Sequence, residues 1–255
     1  SFTFELPQDY YAAGDIIVRA TDAAGNVSGT TSNPFIFTID TDAPDIPIIS
    51  TIVTPNNDNT PTIAGTGVSG DTITLYAGST AIGSVTIGVG STSWSITPTN
   101  PLNDGSYVIT AVSTDPASNQ SAVSVSQTIV IDTVASGAPT IDAITTPTNN
   151  RTPTITGTGV SGDTITLYAD SIDIGSVIIV AGSTSWSITS TLTLSEETHV
   201  IKAISTDPAS NQSFESVSQT IVIDSSPPGN PTIYFPTSPT NNGTVTVSLG
   251  DGATS

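Results

Sequence analysis

Apolar and polar residues alternate along most of this chain. Ile73 and Leu75 lie on one face of a run whose other face carries Thr72, Thr74 and Tyr76. Tyr107, Ile109 and Ala111 share a face in a later run. A period of two is that of a strand with one side in a core and the other in water. Such runs start near Ile46, Thr60, Asp71, Ala81, Ser93, Tyr107 and Val123, with turn residues between them.

The same seven runs then return. Thr60-Pro61-Thr62-Ile63 recurs as Thr152-Pro153-Thr154-Ile155, Trp94 as Trp186, Asp115 as Asp207 and Asp132 as Asp224, each at an offset of 92 residues. Ser113 to Ser121 returns unchanged as Ser205 to Ser213. Repeats are read before anything else, because they set the architecture. The chain therefore divides into the end of one repeat (1–40), two full repeats (41–132 and 133–224) and the start of another (225–255). Thr21-Asp22-Ala23-Ala24-Gly25-Asn26 aligns with Thr114-Asp115-Pro116-Ala117-Ser118-Asn119, and Pro231-Thr232-Ile233 with Pro139-Thr140-Ile141. Seven short antiparallel strands in about 90 residues predict an immunoglobulin-like sandwich. The fold class is all-β: tandem sandwich domains of about seven strands each, arranged as a rod. Asn103-Asp104-Gly105-Ser106-Tyr107 reads as a tyrosine corner entering the sixth strand. Ser1-Phe2-Thr3-Phe4-Glu5 already reads as a strand and not as a signal peptide, as expected of a piece of something larger or of a signal-independent export route.

Composition narrows the function. Three basic residues, Arg19, Arg151 and Lys202, face 22 acidic ones, for a net charge of −19. That balance excludes nucleic acid and anionic lipid as partners and favours cations. Of the acids only Glu5, Glu196, Glu197 and Glu215 are Glu; the rest are Asp, the residue of turns and of oxygen-rich cation sites. No apolar run approaches the ~20 residues that span a bilayer, so no membrane insertion is expected. There are no cysteines, hence no disulfide or thiolate site. With one histidine, zinc lacks ligands. No Gly-x-Ser-x-Gly elbow occurs and no enzyme is expected.

Topology decides which acids can meet. With strands running alternately up and down, the loops at Asp71 and Asp115 lie at the pole where the chain enters a repeat. Asp104, the Asn56-Asn57-Asp58-Asn59 turn and Asp132 lie where it leaves. Asp115 and Asp132 bracket one strand, roughly 30 Å or more apart, and cannot share an ion within one copy. Between copies they can. Asp40 and Asp42 would come down on Asp71 and Asp115, and Asp132 on Asp163 and Asp207. Calcium takes six to eight oxygens in irregular geometry, so carbonyls, water and Asn119 or Asn211 could complete each site. Magnesium, which demands tighter octahedral order, suits such junctions less. By alignment Asp22 and Asp224 are further candidates. The alternative is that these Asp residues only cap turns.

Thr21-Asp22-Ala23-Ala24-Gly25-Asn26, Ile39-Asp40-Thr41-Asp42-Ala43-Pro44 and Gly65-Thr66-Gly67 with Gly70-Asp71 resemble the bacterial Ig-like repeats of giant adhesins secreted by type I systems. The resemblance covers the whole chain. It implies a calcium-stiffened stalk at the bacterial surface or in the biofilm, with neighbouring repeats as partners and a host or surface receptor bound elsewhere in the parent protein. The middle copies depart from the pattern, with Pro116-Ala117-Ser118-Asn119 and Pro208-Ala209-Ser210-Asn211, and the linkers after Asp132 and Asp224 lack a second acid like Asp42. Two other functions compete: a glycan-binding module using loops or Tyr and Trp faces, and an accessory spacer of a secreted hydrolase. Trp94 and Trp186 read as core anchors or sugar platforms, His199 as a corner or core residue in the Tyr107 slot, and the Thr-rich strands as ordinary sandwich composition or an ice-binding face.

Overall fold

The computed structural model describes residues 3–33, 35–234 and 246–248. It divides into two compact units, Ser1–Thr133 and Val134–Ser255. The first unit opens with four short strands: β1 (Asp9–Tyr11), β2 (Ile17–Val18), β3 (Thr31–Ser32) and β4 (Phe37–Ile39), with β1 paired to β4 and β2 to β3. Here the Tyr11 ring stacks on Phe37 at 5.1 Å.

The first full repeat follows as β5 (Ile48–Ile49), β6 (Ile63–Thr66), β7 (Thr72–Ala77), β8 (Thr80–Thr86), β9 (Ser93–Ile96), β10 (Gly105–Thr114) and β11 (Gln127–Ile131). The second unit repeats them as β12 (Thr140–Ile141), β13 (Thr154–Thr158), β14 (Thr164–Ala169), β15 (Ile172–Ile178), β16 (Ser185–Thr189), β17 (Thr198–Thr206) and β18 (Gln219–Val222). It ends with β19 (Thr232–Tyr234) paired to β20 (Thr246–Ser248). Each repeat is a three-stranded sheet, β5-β6-β9 or β12-β13-β16, facing a four-stranded one, β11-β10-β7-β8 or β18-β17-β14-β15.

The period-two pattern explains the core. Ile73, Leu75, Ile109, Ala111 and Ile129 are fully buried in the first repeat, and Ile165, Leu167, Ile201, Ala203 and Ile221 do the same work in the second. Each buried Ile or Leu side chain contributes about 1.5–3 kcal/mol. Trp94 and Trp186 are 4% exposed, so both are core anchors and neither offers a face to a sugar. Each Trp lies across the sheet from a glycine, Gly65 or Gly157. A methyl on Gly65 would sit 2.0 Å from the Ile48 carbonyl and 2.4 Å from the Trp94 ring, so only glycine fits.

Two departures from the expected strands have local causes. The seventh strand starts at Gln127, not near Val123. In the intervening stretch the ladder is partly carried by serine hydroxyls: Ser113 N–H donates to Ser121 Oγ (3.0 Å) and Ala111 N–H to Ser124 Oγ (2.9 Å). Side-chain acceptors there replace regular backbone pairing. The fifth strand is one residue longer in the second repeat. Ser190 N–H donates to the Pro153 carbonyl at 3.0 Å, and its counterpart Pro98 has no N–H to give.

Candidate functional site

The loop between β10 and β11 is built by one aspartate. Asp115 Oδ1 accepts from Asn119 N–H and Oδ2 from Asn119 Nδ2, both at 2.8 Å, while the Asp115 N–H donates to the Asn119 carbonyl at 3.0 Å. This closes a tight turn with Ser118 at φ 75°. Asp207 and Asn211 form the same turn at 2.9 Å, with Ser210 at φ 76°. Asp22 and Asn26 form it again at 2.9 Å, with Gly25 at φ 87°. The Ala-Gly-Asn and Ala-Ser-Asn wordings therefore give one conformation. Serine in the left-handed region is strained where glycine is not. Hydrogen bonds from the Asn119 amide above all, and from backbone N–H groups, hold the Asp115 carboxyl below the ordinary carboxylate value. The Asn26 amide does the same to Asp22.

Within the first unit this turn receives the incoming chain. Asn119 Nδ2 donates to the Asp40 carbonyl at 3.1 Å as well as to Asp115. One amide nitrogen thus bridges oxygens from the preceding module and from the repeat. Asp40 Oδ1 accepts from Asp42 N–H at 3.1 Å, and Asp42 Oδ2 from Gln8 Nε2 at 2.8 Å. Asp42 is therefore held to the preceding module.

Asp71 sits at the same pole. The β7–β10 register pairs Thr72 with Thr114, so its next step sets Asp71 opposite Asp115. Asp71 is 3% exposed, and Ser113 Oγ donates to its Oδ2 at 2.8 Å. Asp163, 1% exposed, is bonded likewise by Ser205 Oγ at 2.6 Å. Each is a buried carboxylate with a single side-chain donor among the described residues. A carboxylate so far from water is costly unless a counter-charge or several donors stand near it. The cations of the second repeat are engaged elsewhere, Lys202 on Glu215 at 2.5 Å and Arg151 on the Leu194 carbonyl at 2.8 Å. The spacing of acids pointed to Asp71 and Asp163 but not to their serine partners. The signal was there: Ser113 and Ser205 stand on the inward face of their strands, next in the alternation after Ile109 and Ala111 or Ile201 and Ala203.

The exit pole is built differently. Asp104 Oδ1 accepts from Thr133 N–H and Oγ1, at 3.2 and 2.8 Å. The Asp132 N–H donates to the Asn56 carbonyl at 3.0 Å, and the Asp224 N–H to that of Thr148 at 2.9 Å. Asp71 and Asp115 share one pole and Asp104 and Asp132 the other, as the alternation of strands predicts.

Among the described residues, no three His, Cys, Asp or Glu side chains are gathered closely enough to hold a metal. The donors at the entry pole fit calcium in kind, being carboxylate, amide and carbonyl oxygens. In number they need carbonyls and water to complete a shell. A half-turn of the Asn119 amide would bring an oxygen where its nitrogen now bridges Asp115 and Asp40.

His199 fills the Tyr107 slot. Tyr107 Oη donates to the Asn103 carbonyl four residues back at 2.9 Å, and Tyr11 Oη to that of Pro7 at 2.9 Å. His199 Nε2 lies 3.1 Å from the Ser195 carbonyl, again four back. Its Nδ1 is 2.6 Å from Asp170 Oδ2. Ser195, His199 and Asp170 have the residue types of a hydrolytic triad without its geometry. The Ser195 hydroxyl is 3.4 Å from Nε2 and bonded to Glu197, and the ring is buried.

Two facing antiparallel sheets, repeated along the chain with a corner residue near the start of each sixth strand, define tandem immunoglobulin-like modules. The sequence matches the family model described as "Bacterial Ig-like domain" at residues 54–133 and again at 135–225. The chain belongs to the bacterial Ig-like domain family. No curated protein matches it. Among solved structures it is similar to "Biofilm associated protein - BSP domain", at 21% identity and a TM-score of 0.30, over 71% of this chain and 30% of that one. It is also similar to the Clostridium thermocellum CbhA fibronectin(III)-like modules, at 18% identity and 0.46, over 69% of this chain and 93% of that one. The human OSCAR ligand-binding domain is similar at 14% identity and 0.32, over 71% and 100%. This chain thus spans less than a third of the biofilm associated chain.

Proposed function

We propose that this chain is a segment of a stalk, non-catalytic and displayed outside the bacterial cell, in which calcium stiffens the entry pole of each repeat. The observation that carries this reading is the buried Asp71, with one hydroxyl donor, beside an Asp115–Asn119 turn that already touches the Asp40 carbonyl. Asp71, Asp115, Asn119 and the Asp40 carbonyl would hold the ion at the first repeat. Asp163, Asp207 and Asn211 form the equivalent apparatus in the second. A second support is that 65–77 and 113–121, which carry the Gly70-Asp71 and Asp115–Asn119 turns, recur without a change at 157–169 and 205–213. A glycan module would need a specialised exposed face, and both Trp residues are buried. Export by a type I system and a receptor-binding tip elsewhere in the parent protein complete the proposal.

Bound calcium would turn repulsion between acids of successive modules into a cross-link. Extracellular calcium modules bind at roughly 10⁻⁴ to 10⁻³ M, and a site that must also order two modules belongs at the weak end. Such a site stays empty in a cytosol low in calcium and fills outside the cell. Calorimetric titration of the chelated chain, with small-angle scattering before and after, tests this. Binding near millimolar with a longer maximum dimension is expected, and Asp115→Ala should remove the contribution of the first repeat alone. Submicromolar binding, or no heat and no change in dimension, would overturn it.

A further inference from the structure

Among the positions where the copies differ, two that the structure brings together change the chemistry of the corner. Gly78 of the first repeat corresponds to Asp170 in the second, and Tyr107 to His199. Residues 29 apart in sequence, Asp170 and His199 are bonded at 2.6 Å. We propose that His199 is an acid-stabilised latch: as an imidazolium it ties the β14–β15 turn to the corner that leads into β17, and it releases that tie when it loses its proton.

The geometry asks for the charged ring. Both nitrogens of His199 face acceptors, Nδ1 the Asp170 carboxylate and Nε2 the Ser195 carbonyl. A neutral imidazole has one N–H and can serve one of them only. The other ring nitrogen would then turn a lone pair toward an oxygen, at a residue 5% exposed. The Ser195 hydroxyl cannot relieve this, since it is bonded to Glu197. Asp170 is held in place: its Oδ1 accepts from Val200 N–H at 2.8 Å, and it and Ser171 take φ of 51° and 72°. In the first repeat a phenol does the corner's work, and Tyr107 Oη donates to Asn103 with or without acid.

The charges that act on the ring favour its protonated form. The turn presents Asp170 and the corner presents Glu197, both anionic. On β18 the residue opposite His199 is the apolar Ile221. The cation at this corner, Arg151, is bonded to the Leu194 carbonyl and acts on Glu196. Burial opposes the charged ring. The bonds to Asp170 and the Ser195 carbonyl, with the Asp170 and Glu197 charges, outweigh it and hold the His199 pKa above its ordinary 6.5. Stability from a raised folded-state pKa is complete below the ordinary value and is lost as pH climbs through the raised one. The second repeat should therefore weaken on going from mild acid to mild alkali, and the first should not.

His199 is the chain's one histidine, so imidazole NMR of the intact chain reports it without assignment. The chain also has two tryptophans, one in each full repeat, so Trp94→Phe and Trp186→Phe variants leave a single fluorescent reporter of one repeat. His199 should titrate above 6.5 and move down in Asp170→Asn. Between about pH 6 and about pH 9 the thermal midpoint seen by Trp186 should fall while that seen by Trp94 stays level. His199→Tyr should keep the fold and abolish the fall, which a merely structural histidine would not predict. Titration at or below 6.5, or parallel pH profiles for the two repeats, would overturn the latch.

Discussion

The two full repeats are near-copies that have diverged unevenly, with the acid-bearing turns of one end kept. The two entry-pole turns that carry acids are identical, Gly70-Asp71 with Gly162-Asp163 and Asp115–Asn119 with Asp207–Asn211, while the loop beside them changes from Gly88-Val89 to Val180-Ala181. The exit pole has been rewritten. Asn59 is matched by Arg151, Gly78 by Asp170, Pro98 by Ser190, Asn103-Asp104-Gly105 by Ser195-Glu196-Glu197 and Tyr107 by His199. Apart from the hydrogen bond that Ser190 gains over Pro98, these rewritings keep the backbone path. Leu102 N–H donates to the Asn59 carbonyl and Leu194 N–H to that of Arg151, both at 2.8 Å. The corner bond survives the change from phenol to imidazole. The difference separates two kinds of constraint. At the exit pole many side chains can support one backbone path. At the entry pole a buried carboxylate, its one hydroxyl donor and an Asp–Asn turn must occur together, and none can change alone.

Substitutions can break that comparison, with single-tryptophan variants reporting unfolding of each repeat in denaturant. The largest effect should come from Gly65→Ala and Gly157→Ala. The new methyl would lie 2.0 Å from a backbone carbonyl in either copy, and the carbonyl cannot swing away as a side chain can. About 3 kcal/mol or more should be lost from the repeat that carries the change, equally in both. A clear inequality would show that the cores are not equivalent. Next come Ser113→Ala and Ser205→Ala, which strip Asp71 and Asp163 of their hydroxyl donor. About 2–3 kcal/mol is expected in either copy, as a buried charge loses its partner. Added calcium should recover part of that loss if an ion balances the carboxylate, and none of it if the serine alone does.

The exit pole should behave asymmetrically. Arg151→Asn restores the residue of the first repeat and removes the bond from Nε to the Leu194 carbonyl. It should cost the second repeat about 1 kcal/mol, visible at Trp186 and silent at Trp94. The smallest effect is a gain. Ser118→Gly and Ser210→Gly relieve the left-handed backbone at φ 75° and 76°. About 0.5–1 kcal/mol should be added in each copy, the relief being offset in part by the looser unfolded chain. A loss instead would mean that the serines do something their backbone conformation does not reveal.

Much of the fold was legible. Alternation of Ile73 and Leu75 with Thr72 and Thr74 returns as strict in-and-out burial along β7. Asn103 and Tyr107 announced their corner through spacing alone. The seventh strand starts at Gln127 and not near Val123, because Ser121 and Ser124 change the pairing ahead of it. Their hydroxyls accept the hydrogen bonds that a regular partner strand's carbonyls would take. The candidate site was half legible. Asp71 and Asp115 were assigned to one pole from the up-and-down order of strands, and the register agrees. That Asp71 lies beneath the surface was not readable, since an aspartate before a strand looks the same whether solvated or buried.

What the sequence determined by itself is the local and the periodic: strand faces from a period of two, turns from Gly, Asn and Asp, and copy boundaries from the 92-residue offset. These depend on neighbours a few residues away. Only the tertiary structure decided the partners of polar side chains, because those partners arrive from other strands. Ser113 reaches Asp71 across 42 residues, Asn119 reaches the Asp40 carbonyl across 79, and His199 finds Asp170 across 29. A buried polar group takes its meaning from whatever donor or acceptor the packing of sheets sets beside it, and no local pattern encodes that neighbour.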